Sequence, residues 1–565
     1  MSSEPRLKVV LCWHMHQPQY RDAATGVYRL PWVYLHAIKD YVDMAAHLEA
    51  HAGARAVVNF APVLLDQIVD YAAQVRAFLG SGDAIRDPCL APLVEPVLPV
   101  DAEPRVALIK SYLRANETHA IGRFAAYQRL AHLARWVIDH PPDAVYLSDQ
   151  FLGDLIVWHH LAWLGETVRR TDARVQRLID KAGGYTLDDR RALLGIVGEL
   201  LDGVIGRYRA LADAGRIELS FTPHTHPILP LLIDLKCARE AMDAALPSLE
   251  RYPEGEARAR WHVREGLAAF ARYFGHAPKG CWPAEGGVST RALELLGEAG
   301  VAWAATGEGV LRHTLVRAQH DLHGHKDAWL YRRYAGPGGV STFFRDDGLS
   351  DLIGFTYATW HADDAVSNMV HHLEQIADRS RGHPERVVSI ILDGENAWEH
   401  YPENGYYFLN GLYDRLSTHP RLQLTTFADC LALDPAPLPP LVAGSWVHGN
   451  FSTWIGDPEK NRGWEMLGDA ALAFHAARSQ LDGARLRRAQ EQLGVCEGSD
   501  WFWWFGDYNP AATVSDFEAL FRRHLTNLYR MIGTKPPEYL SDVFTHGAGE
   551  PVHGGTMRPG SATNE

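Results

Sequence analysis

Several short stretches of this chain place polar, proton-carrying side chains directly after apolar runs. "VVLCW" leads into His14-Met15-His16-Gln17, and "RIELSF" leads into His224 and His226. "KGCWPAE" ends on Glu285, and "VVSIILDGEN" ends on Asp393, Glu395 and Asn396. Two chemistries can use such a set. Histidines spaced H-x-H point the same way on a strand, and with a carboxylate they suit a hydrolytic metal ion. Two carboxyl groups facing one another suit glycoside cleavage, one as nucleophile or base and the other as acid. The histidines then serve as hydrogen-bonding partners for sugar hydroxyls. Taken singly, each residue has a plainer reading as a turn former, a helix cap or a satisfied core histidine. Trp13, Trp282, Trp398, Trp446 and Trp454 lie in or beside these stretches. Flat apolar rings suit sugars and are not needed by a metal site.

Such residues must be brought together by the elements that carry them. Apolar strand candidates alternate with long amphipathic stretches over roughly residues 7–430. "RVVSIILDGEN" is a continuous apolar run, the mark of a strand buried on both faces of a parallel sheet. The pattern predicts an α/β architecture, a barrel whose strand C-termini all open onto one rim. Four runs ending in His, His, Glu and Asp then converge on one active site. After the Pro-rich "LDPAPLPPLV" the texture becomes helical around an aromatic insert, "DWFWWFGDYNP". That insert reads either as helical core or as a cleft wall offering Asp500 or Asp507 to sugar hydroxyls. We expect a catalytic barrel over 1–435, a helical region over 436–546 and a disordered tail over 547–565.

The bulk numbers exclude other classes. With 55 basic and 69 acidic residues the net charge is −14, which argues against nucleic acid as a partner. No run is long and apolar enough for a membrane span, and there is no basic membrane-surface helix. The six cysteines form no C-x-x-C pair and read as reduced core thiols. With no apolar leader segment, a cytoplasmic location is the expectation.

Five stretches occur in order: "HMHQP", "GRIELSFTPHTHPILPLL", "GCWPAEGGVS", "LDGENAWEHYPENG" and "WIGDPEKNRGWEML". Together they resemble the five ordered motifs of glycoside hydrolase family 57, most like its amylopullulanase and α-amylase branch. The resemblance implies an incomplete (β/α)7 barrel with a C-terminal helical domain, acting on α-glucans with retention of configuration. It implies Glu285 as nucleophile and Asp393 as acid/base. Substrate contacts are expected from His14, His16, Gln17, Glu218, His226, Trp282, Glu395, Trp398, Trp454 and Asp500. No metal and no cofactor are expected. The family's branching enzymes carry Thr-Glu-Leu-Phe after the Asp; "DGENAWEH" departs from this, so branching is not expected. A 4-α-glucanotransferase of the same family, which intercepts the same intermediate with a sugar, is the first alternative. A metal-dependent deacetylase or mannosidase-like barrel is the second.

Overall fold

The computed structural model describes residues 6–322 and 325–549. Ten strands form one sheet: β1 (Leu7–Met15), β2 (Ala56–Phe60), β3 (Ile217–Phe221), β4 (Gly280–Cys281), β5 (Trp303–Thr306), β6 (Tyr334–Ala335), β7 (Ser341–Phe344), β8 (Val387–Asp393), β9 (Leu422–Leu424) and β10 (Ala436–Pro437). Their order is β10-β6-β7-β5-β4-β3-β2-β1-β8, with β9 beside the start of β1. All pairings are parallel except β6 with β7. A parallel bridge from Arg345, just after β7, to Ser389 of β8 brings the two ends together. Seven strands, β7-β5-β4-β3-β2-β1-β8, thus curl into an incomplete (β/α)7 barrel, as expected.

Strand periodicity sorts the side chains into two layers. Leu7, Val9, Leu11, Trp13 and Met15 of β1 face outward onto the helices, in the large core. Val10 and Cys12 face inward, with Val57, Ile391, Phe343, Trp282 and Trp303. The barrel interior is therefore a packed plug, and its upper layer is polar. In register across the sheet, Ser220 pairs with Asn59, Asn59 with His14, and His14 with Asp393. One row of the ladder thus carries four polar groups over a largely apolar floor.

Between β2 and β3 the chain makes a largely helical excursion ending in the helix Leu187–Asp213. After the barrel come helices Pro458–Ala477, Gly483–Cys496, Ser499–Trp504 and Ala511–Met531. The sheet runs slightly past 435, since Ala436 pairs with Tyr334. At the other boundary, Ala548 and Gly549 hydrogen-bond Asp507 and Asn509 at 2.8 and 3.0 Å. The rest of the expected tail, 550–565, lies outside the described residues. All six cysteines are buried and unpaired. Among the described residues no helix is long and apolar enough to cross a membrane.

Candidate active site

His14 ends β1, and Asn59 sits beside it on β2. The Asn59 amide lies 2.7 Å from Nδ1 of His14, whose Nε2 lies 3.0 Å from Nε2 of His226. His226 follows β3 in a left-handed turn, at φ 63°. Its Nδ1 is 2.9 Å from the Ser499 hydroxyl, and its carbonyl accepts the Ser499 backbone N–H. His16 stacks on His226 with centroids 3.7 Å apart, and its Nε2 lies 2.8 Å from Asp500. Burial keeps His14 down to about 3 and His226 well below the usual histidine value, so both are neutral at pH 7.

Glu285 follows β4 in a tight turn, also left-handed, at φ 58°. Left-handed backbone costs ~1–2 kcal/mol for a residue with a Cβ. Here it turns a carboxyl inward to a spot where it is only 2% exposed. Ser499 donates to Oε1 at 3.0 Å, and the Trp446 indole donates to Oε2 at 3.1 Å. Burial, then the charges of Asp500 and Asp393, push Glu285 up to about 8.

Asp393 ends β8, is half-buried, and accepts from the Asn396 amide at 2.6 Å. Burial pushes it up to about 6; of the neighbouring acids it is Asp500 that adds to the rise. Burial thus raises both carboxyls, and of the two Glu285 holds its proton to the higher pH. Glu395 accepts from the His16 backbone and the Gln17 amide, both at 3.3 Å, and is also pushed up, first by burial and next by Asp393. Gln17 in turn accepts from Tyr20 at 2.8 Å.

These residues line one depression: His14, His16, Gln17, His226, Glu285, Asp393, Glu395 and Asp500. At Asp393 and Asn396 it joins a cleft of about 630 Å3 walled by Arg345, Phe355, Trp446 and Trp503. That volume is in the range of small-molecule sites. Arg345 is fixed by Asp347 and Asp351 and lies 5.2 Å over the Trp446 ring.

Several expected contacts are not in this depression. Glu218 faces inward, but one layer lower, near the start of β3. Its oxygens accept from the Trp303 indole at 2.7 Å and the Ala428 N–H at 2.8 Å. Gly280 makes this possible, since a Cβ there would meet the Trp303 ring. Glu218 is thus a floor residue and no substrate contact. Trp282, Trp398 and Trp454 are at most 1% exposed, so none offers a free face for stacking. Trp282 packs on Trp446, Trp398 on Trp13, and Trp454 on Trp503. The rings that do reach the cleft are Trp446, Trp503 and Phe355. The insert "DWFWWFGDYNP" answers to both of its readings. Phe502 stacks on Trp464 as helical core, while Trp503 and Trp504 wall the cleft and depression.

Sequence reading missed Asn59, Ser499 and Arg345, and it named Asn396 only as the end of a polar cluster without a role. Asn59 left a trace: it interrupts the apolar strand "AVVNF" at its upper end, as His14 does in β1. Ser499, 214 residues from its carboxylate partner, left none. His16, His226 and Asp500 lie close enough to hold a cation. Their facing atoms are already engaged, His16 Nε2 with Asp500 and both His226 nitrogens with His14 and Ser499.

The family model for glycosyl hydrolase family 57 matches residues 10–436. The chain belongs to that family. No curated protein matches the chain. Among solved structures, this family 57 chain is similar in fold to the GH57-type branching enzyme of Pyrococcus horikoshii. The identity is 14%, the TM-score 0.56, and 98% of this chain and 99% of that one are covered. For the α-amylase AmyC of Thermotoga maritima the values are 13%, 0.56, and 95% of both chains. For the 4-α-glucanotransferase of Thermococcus litoralis they are 14%, 0.51, 93% of this chain and 60% of that one. The family 57 chain is accordingly a glycoside hydrolase in family and fold, and four of its five motif segments contribute residues to one depression.

Proposed function

We propose that this enzyme is a retaining α-glucan hydrolase that cleaves α-1,4 bonds, and α-1,6 bonds where the cleft admits a branch, in glycogen, starch or maltodextrins. The observation that carries this reading is the environment of Glu285. It is a buried carboxyl whose two oxygens each receive a donated hydrogen, beside Asp393 at the head of an aromatic-walled cleft. The α-glucan substrate is supported by family membership and by the activities of the fold relatives, a branching enzyme, an α-amylase and a 4-α-glucanotransferase.

In the first step Glu285 attacks the anomeric carbon as its carboxylate. The bond to the leaving oxygen breaks, and Asp393 gives that oxygen its proton. In the second step Asp393, now ionised, takes a proton from water. The water oxygen attacks the anomeric carbon and Glu285 leaves. Each inversion undoes the other, so configuration is retained. His16 Nδ1 and Glu395 Oε2, buried without a partner among the described residues, supply contacts for sugar hydroxyls. Gln17, Asp500 and the histidine stack complete that wall. No metal takes part in this scheme. A cytoplasmic location is part of the same proposal.

Trp446, Trp503 and Phe355 favour a second reading. Their rings extend the cleft beyond Asp393 and offer a seat for an acceptor sugar, as 4-α-glucanotransfer requires. Digestion of maltoheptaose separates the two. Only shorter products indicate hydrolysis, and a ladder above the starting length indicates transfer. Proton NMR at early times should show the α-anomer; a β-anomer first would overturn retention and both readings with it.

A further inference from the structure

Asn59, His14, His226, Ser499 and Glu285 form one unbroken chain of contacts at 2.7, 3.0, 2.9 and 3.0 Å. Each link needs one hydrogen, and the middle members can hold theirs in either direction. A neutral imidazole has one N–H and one bare nitrogen, and a hydroxyl has one hydrogen. The chain therefore has two senses, and its far end decides which is present.

The donor count at Asn59 makes that decision. The Thr222 hydroxyl lies 2.8 Å from the Trp282 carbonyl and 2.8 Å from the Asn59 side chain. It has one hydrogen, and the carbonyl can only accept. With the Asn59 oxygen turned toward Thr222 and His14, Thr222 would face two acceptors with one hydrogen. The two arms of an amide have the same shape, so their assignment follows the hydrogen-bond network. Turned over, Asn59 donates one N–H to Thr222 and the other to Nδ1 of His14. Its oxygen then accepts the Ser220 hydroxyl, 3.0 Å away. Every group in the cluster is satisfied.

The rest follows link by link. Nδ1 of His14 accepts, so its hydrogen is on Nε2 and points to His226. Nε2 of His226 accepts, so its hydrogen is on Nδ1 and points to Ser499. Ser499 accepts there and gives its own hydrogen to Glu285. We propose that Asn59 and Ser499 are positioning residues which set the sense of this chain, so that it ends in a hydrogen donated to Glu285 Oε1. The opposite sense would leave Ser499 donating to His226 and Glu285 needing a proton of its own to make the last contact. This inference rests on the reading of Glu285 as nucleophile, because only an ionised carboxylate can use the donated hydrogen in attack.

Neutron diffraction of the full-length enzyme reads the hydrogens directly. The expected pattern is occupancy on Nε2 of His14 and on Nδ1 of His226, with the Asn59 NH2 facing His14. Hydrogens on Nδ1 of His14 and Nε2 of His226 would overturn the inference. In solution, 15N shifts of labelled histidine report the same tautomers, with the two rings assigned from His14→Gln and His226→Gln spectra. Ser499→Ala should lower kcat ten- to a hundredfold on maltoheptaose with KM within about twofold, and Ser499→Thr should restore most of the rate. An unchanged kcat in Ser499→Ala, or no rescue by threonine, would sink the role of Ser499. The tautomer readout does not depend on turnover. If Glu285→Gln stays active, the nucleophile reading fails while the hydrogen positions still stand or fall by themselves.

Discussion

The indole Nε1 of Trp446 lies 3.1 Å from Oε2 of Glu285, across 161 residues of chain. An indole N–H can only donate, so this oxygen accepts in the contact, and the contact favours the ionised carboxylate. Burial alone favours the neutral acid. Trp446 works against burial, and Ser499 does the same at the other oxygen.

Replacing Glu285 by Gln should therefore abolish turnover, by on the order of 10^4-fold or more, with the fold intact by circular dichroism. Azide added to the variant should partly restore cleavage of an activated α-glucoside and yield the β-glucosyl azide. Near-native activity in this variant would remove Glu285 from the chemistry.

Asp393→Asn should depend on the leaving group. Maltooligosaccharides need a proton on the departing oxygen, and their cleavage should fall by ~10^2–10^4-fold. Substrates with an acidic aryl leaving group should lose far less in the first step. Equal losses on both would shift the acid role to a neighbour such as Glu395.

The dependence of rate on pH follows from the paired carboxyls. Burial raises Asp393 to about 6 and Glu285 to about 8, so between these values one proton remains on the two carboxyls, and the reactive form carries it on Asp393. Below the first, both groups are protonated and Glu285 cannot attack. Above the second, neither carries the proton that the leaving oxygen needs. A plot of kcat/KM against pH should be bell-shaped with its top between these values. A monotonic profile over pH 5–9 would contradict a shared proton.

Glu218→Gln should leave kcat/KM within about twofold, because this side chain lies in the floor of the barrel. Its effect should be on stability. Burial pushes Glu218 from 4.5 up to about 7, so the folded chain holds a proton that the unfolded chain has already lost in this window. The native protein should then lose stability as pH rises from about 4.5 to about 7. The variant lacks this loss. Denaturation midpoints, variant minus native, should rise through the window and level off above it.

Exhaustive chelation should leave activity unchanged, since the facing atoms of His16, His226 and Asp500 are engaged with protein partners. Zinc found at one equivalent, with activity lost on its removal and regained on its return, would favour the metal-dependent alternative.

The strand ends His14, Glu285 and Asp393 were legible in the sequence because an apolar run that stops at an acid or a histidine follows from local periodicity. A parallel barrel then directs all such ends to one rim. Glu218 shows the limit of that logic. It lies on the same inward face as Ser220 of β3, but the layer it occupies depends on how the strands are staggered, which no single strand reveals. The tryptophans show another. Their number signals burial and sugar stacking alike, and packing alone decided that Trp282, Trp398 and Trp454 are enclosed while Trp446 and Trp503 face the cleft. Ser499 and Asp500 come from a helix that follows the barrel in sequence and meets it only in space. Type and spacing determined the carboxylates and the histidines. Which oxygen receives which hydrogen was decided by contacts over hundreds of residues, because a hydrogen bond depends on position to tenths of an ångström and sequence records only order along the chain.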